Sequence, residues 1–71
     1  MQNTETTEGA RLLRAKVKKF GIGTVADVVN ASVQTMRHWL NGERIPTLPH
    51  AVRIQSAYKI QPIAWTIPPK N

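Results

Sequence analysis

Three interruptions near the middle of the chain, "GIG" at residues 21–23, Asn30 and Gly42, divide it into short pieces that can only be stable by packing on one another. Glycine reaches positive φ without strain, and Asn tolerates the left-handed region better than other residues with a side chain. Each piece sets its apolar residues at helical spacing, and none alternates as a strand does. Ahead of "GIG", the run "GARLLRAKVKKF" places Ala10, Leu13, Val17 and Phe20, with Leu12 beside them, on one face. Arg11, Arg14, Lys16, Lys18 and Lys19 fill the rest, which makes the first helix basic and amphipathic. After "GIG", Thr24 and Asp27 resemble a capping box opening a second helix, which ends where Asn30 turns the chain.

Ser32 is suited to cap a third helix and Gly42 to close it. At about 100° per residue, Met36, Trp39 and Leu40 fall on one side of that helix, with Gln34, Arg37, His38 and Asn41 opposite. Trp39 therefore reads as core and not as a platform for stacked bases. Pro46 makes "ERIP" an extended connection. Thr47 then caps a fourth helix with Pro49 in its first turn and Leu48, Ala51, Ile54 and Tyr58 as its inner stripe. "QPIAW" adds a last short turn with Pro62 at its first position, and "PPKN" cannot continue a helix. The expected fold is all-α, compact, with four to five helices.

At 71 residues the chain can hold one core, and without Cys no disulfide or thiolate site supports it. We expect a disordered N-terminal tail over residues 1–8, a single domain over 9–67 and a C-terminal tail over 68–71. No apolar run approaches the roughly 20 residues that span a bilayer. The first residues are polar where a signal peptide is apolar, so a cytoplasmic location is expected.

Ten Lys and Arg against four acids give a net charge of +6, which points to an anionic partner. Catalysis has little to stand on. His38 and His50 have no carboxylate at metal-ligand spacing, and "GIG" lacks the second glycine group and the Lys-Ser/Thr pair of a phosphate loop. The expectation is a protein that is not an enzyme and uses no metal, cofactor or small-molecule ligand.

Residues 22–41, "IGTVADVVNASVQTMRHWLN", resemble the helix-turn-helix window of the phage Cro and repressor family of the xenobiotic-response-element type. The small residue of that pattern is matched by Ala26, the turn glycine is replaced by Asn30, and the buried positions fall on Val25, Val29, Ala31, Met36 and Trp39. The likeness continues into Phe20-Gly21 before the window and "LNGERIPTL" after it. "IG" at 22 and 23 departs from the usual polar residues, so no phosphate contact is expected from the Ile22 side chain.

The resemblance implies a lambda-repressor-like fold and sequence-specific binding of double-stranded DNA, with the third helix in the major groove. Base-reading positions would be Val33, Gln34, Arg37 and His38. Gln34 suits adenine, Arg37 suits guanine and Val33 suits a thymine methyl, while His38 has either a guanine or a phosphate within its chemistry. Thr35, Asn41, Arg44 and the backbone amides after Gly42 would hold phosphates, with Lys18 and Lys19 of the first helix adding to them. The implied protein is a Cro-like or small phage or plasmid repressor of transcription. It would act as a homodimer on a palindromic operator, with the C-terminal residues Ile60, Ile63, Trp65 and Ile67 forming either the dimer surface or part of the monomer's core. The alternative is an antitoxin-like or adaptor module whose main partner is a protein.

Overall fold

The computed structural model describes residues 6–69. Residues 1–5 of the expected N-terminal tail and 70–71 of the C-terminal one lie outside the described residues. The described part is all-helical, with α1 at Glu8–Phe20, α2 at Ile22–Val29, α3 at Val33–Leu40, α4 at Leu48–Tyr58 and a final 3₁₀ turn at Pro62–Thr66. No strand occurs among the described residues.

Thr7 caps α1, its hydroxyl accepting from the Ala10 amide at 3.2 Å. Glu8, assigned to the tail by its polar surroundings, belongs instead to this helix and is buried. Its amide donates to the Ile67 carbonyl at 3.0 Å, which ties the first helix to the end of the fold. Gly21, at φ 93° and ψ 144°, ends α1 and also precedes the first residue of α2. One glycine with positive φ therefore reverses the chain, and Ile22 and Gly23 are already helical. The capping box expected from Thr24 and Asp27 does not form, because α2 starts two residues before Thr24 and has no side-chain cap.

Asn30 takes the left-handed conformation at φ 60° and ψ 47°. The Ala31 amide then reaches back to the Ala26 carbonyl at 2.9 Å and the Asn30 amide to that of Asp27 at 3.2 Å, which is the Schellman pattern. Ser32 caps α3 through its hydroxyl, which accepts from the Thr35 amide at 3.0 Å. Gly42, at φ 78°, ends α3 in the same way: its amide donates to Trp39 and that of Glu43 to His38. A left-handed residue at each exit, followed by a cap or an extended segment, lets two eight-residue helices turn sharply against one another.

Ala10, Leu13, Val25, Ala26, Val29, Met36, Trp39, Leu40, Ile54, Ile60, Ala64 and Trp65 form one contiguous core. Trp65 lies edge-on to Trp39, with ring centroids 6.4 Å apart, and its ring also packs closely on Gly9. Ile60 and Trp65 therefore close the monomer's own core, while Ile67 is half-buried and Ile63 remains 67% exposed. Two members of the expected stripes are exposed. Phe20 is 47% exposed and stacks on Tyr58 instead, with centroids 6.2 Å apart. Leu48 is 71% exposed. On α4 it sits about 60° beyond Ala51, on the side away from Ile54, and so falls off the end of the buried arc.

A Cβ on Gly9 would stand 2.7 Å from Trp65 Cε2, whereas one on helical Gly23 would meet nothing within 4 Å. Gly9→Ala should thus lower stability by about 1 to 3 kcal/mol through overpacking. Gly23→Ala should raise it by about 0.5 kcal/mol through lower chain entropy in the unfolded state. Chemical denaturation of the two variants beside the parent chain checks both signs, and a loss of stability in each would contradict the packing described.

Candidate nucleic-acid interface

A helix of eight residues has little stability of its own, so α3 holds its outward face only because the opposite one is anchored. Met36, Trp39 and Leu40 provide that anchor and are all buried. Gln34, Arg37 and Asn41 are exposed on the other side, and His38 beside them is half-buried. Val33, the first residue of the helix, is also half-buried and packs against the core, so it offers less of itself outward than Gln34 and Arg37.

Several of these residues are engaged within the chain. Thr35 accepts a hydrogen bond from the Ser32 hydroxyl at 3.0 Å, which leaves its own O–H able to donate outward. His38 Nδ1 lies 2.5 Å from Glu43 Oε1. The backbone amides after Gly42, expected to hold phosphates, are turned inward: those of Glu43 and Arg44 both reach the His38 carbonyl, at 2.9 and 3.3 Å. The same Schellman turn that ends α3 uses these donors, while the Asn41, Glu43 and Arg44 side chains of that segment are exposed.

The basic residues of α1 divide into two groups. Arg11 forms a bidentate pair with Glu8, at 2.8 and 2.6 Å. That hydrogen bond raises the guanidinium pKa against the opposing effect of desolvation, with Coulombic attraction to Glu8 adding to the rise. Arg14 donates to the carbonyl of Leu40, so it caps the C-terminal end of α3 from a neighbouring helix. Lys18 and Lys19, in the last turn of α1, are exposed, with Lys19 Nζ 5.3 Å from the centroid of the Phe20 ring. Lys18 follows Arg14 by one turn on the same side of α1. The exposed cations of this helix with no hydrogen bond or ion pair among the described residues, Lys18 and Lys19, therefore lie at its C-terminal end.

Two participants escape a reading of the sequence. Glu43 bears no spacing that marks it as a partner for His38, because Gly42 has to reverse the chain first. Arg14 looks like one more surface cation, and its acceptor lies 26 residues away. Among the described residues no group of three His, Asp or Glu could hold a metal ion, and no helix is long and apolar enough to cross a membrane. Comparison of the chain with protein-family models, with curated proteins and with solved structures finds no match.

Arg14→Gln should lower stability by about 1 kcal/mol, since a charged donor to a partly buried helix end is replaced by a weaker one. A thermal melt of the variant checks this, and an unchanged midpoint would show that the guanidinium contributes nothing to holding α3.

Proposed function

We propose that the chain is a sequence-specific double-stranded DNA-binding regulator of transcription, with α2 and α3 acting as a helix-turn-helix. The observation that carries the reading is the outward face of α3: Gln34, Arg37 and Asn41 are exposed while Met36, Trp39 and Leu40 hold the helix to the core. A short rigid helix that offers a bidentate amide and a guanidinium one turn apart has the donors and acceptors that distinguish base pairs in the major groove. The net charge of +6 and the exposed Lys18, Lys19 and Arg44 supply the attraction to phosphates.

In this reading α3 enters the groove with Gln34 set against adenine and Arg37 against guanine, and α2 crosses the backbone. Thr35, Asn41, Arg44, Lys18 and Lys19 hold phosphates and fix the register, while Val33 contributes only its exposed part to a thymine methyl. Arg11 and Arg14 are structural, since both guanidinium groups are engaged within the chain. A module of this size spans few base pairs, so it acts as a homodimer on a palindromic operator in the manner of a small Cro-like phage or plasmid repressor. Selection from random duplexes with the purified chain tests the reading, and failure to enrich any sequence would remove it.

On the enriched operator, Arg37→Ala should cost about 1 to 3 kcal/mol of binding and relax the preference at one base position. Competition binding against point-substituted operators measures this, and an equal loss on every sequence would reassign Arg37 to a phosphate. Replacing Lys18 and Lys19 with Gln should leave the consensus unchanged. It should reduce the logarithmic dependence of affinity on salt by about 0.9 for each phosphate that is no longer neutralised. Titrations over a range of salt concentrations give that slope, and an unaltered slope would move both lysines away from the DNA.

A further inference from the structure

We infer that Glu43 fixes the proton of His38 on Nδ1 and so makes His38 an acceptor-type reader of bases. The ligand rests on the DNA-binding reading above, but the proton position rests on geometry alone. The Schellman turn at Gly42 folds the chain back so that Glu43 is joined to His38 twice. Its amide donates to the His38 carbonyl at 2.9 Å, and its Oε1 lies 2.5 Å from the His38 Nδ1. A carboxylate can only accept, so in the neutral imidazole Nδ1 must carry the hydrogen. Nε2 then presents a lone pair, and no hydrogen bond to it is found among the described residues.

That assignment narrows what His38 can recognise. In the major groove the exocyclic amino groups of adenine and cytosine are donors, whereas guanine presents O6 and N7, both acceptors. Neutral His38 with its lone pair on Nε2 matches the first two and is repelled by the third. Phosphate oxygens are acceptors as well, so in this state the residue reads a base and does not grip the backbone. Glu43 need not touch DNA for this. It is a positioning residue that sets the hydrogen-bonding character of its neighbour, and its removal restores the other tautomer and with it the capacity to donate to guanine.

The test has two arms on the full chain. Long-range proton–nitrogen correlation spectra are recorded without DNA at pH 8, where imidazoles are ordinarily neutral, for the parent chain and for Glu43→Gln. The parent should show His38 protonated on Nδ1, and the variant a mixture of tautomers, because an amide both donates and accepts. A parent His38 protonated on Nε2, or a variant indistinguishable from it, overturns the inference. The second arm repeats the random-duplex selection at pH 8 with both proteins. One operator position should favour adenine or cytosine with the parent, and that preference should fall about fivefold in the variant, the scale of one hydrogen bond. If the tautomer is as inferred but no position changes, the role in specificity is overturned. If the parent enriches no sequence at all, the DNA-binding reading fails and takes the base-reading role with it, while the spectra still decide the proton position.

Discussion

Trp65 packs against both Gly9 and the ring of Trp39, and the remaining packing of the domain depends on those two contacts. A chain of this length buries too little surface for small aliphatic residues to hold several short helices, so large aromatic groups must supply much of the apolar contact. Trp65 comes from the final turn, Gly9 from the first helix and Trp39 from the third. A residue near one end of the chain thereby clamps the other end and the helix that carries the outward polar face. The Glu8 amide bonded to the Ile67 carbonyl closes the same seam from the backbone side. Burial is not free of cost here, because Trp65 Nε1 is buried with no hydrogen-bond partner among the described residues. An unmet indole donor costs about 1 to 3 kcal/mol, which the contact area of the ring has to exceed.

With α3 fixed in this way, the polar side chains divide into those bonded within the chain and those left to an outside partner. Glu8 and Arg11 hold each other, Arg14 caps the end of α3, and Glu43 holds His38. Gln34, Arg37, Asn41, Arg44, Lys18 and Lys19 are left exposed. The net positive charge alone would overstate what is available to a ligand, because part of it is committed to structure. Two of the exposed cations, Arg11 and Arg14, are bonded within the chain, and the exposed face of α3 is more polar than purely cationic. For recognition of bases, as opposed to attraction to phosphates, that balance matters, since directional donors and acceptors discriminate where charge does not.

The breaks and caps are legible in the sequence because each is decided within a few residues of backbone. Asn30, Ser32, Gly42 and Pro62 all stand where their local conformational preferences put them, and Thr47 takes the N-cap position of α4 without a side-chain cap bond. Thr24 misleads for a related reason: Gly21 has already supplied the turn, so the helix begins before the cap-like residue is reached. Periodicity finds Met36, Trp39, Leu40 and Ile54 in the core and thus the orientation of α3. It misplaces Leu48 and Phe20, because a helical wheel assigns a face and not the width of the surface that covers it. Of the candidate site, Gln34, Arg37, Asn41 and Arg44 stand out as exposed polar positions from the pattern alone. The engagement of His38, and of the amides after Gly42, does not.

By itself the sequence determined where the chain breaks between helices, which sides of them are apolar, and that the whole is basic. These depend on local conformational energy and on side-chain type, both of which are properties of short stretches. Only the tertiary structure decided that Trp65 belongs to the monomer's core, that Arg14 serves the carbonyl of Leu40 and that Glu43 turns back to His38. Such pairings depend on which surfaces are brought within hydrogen-bonding or van der Waals distance after the chain has reversed at Gly21, Asn30 and Gly42. A reversal is visible in the sequence, but the direction in which it sends the following helix is set by the packing of all the helices together.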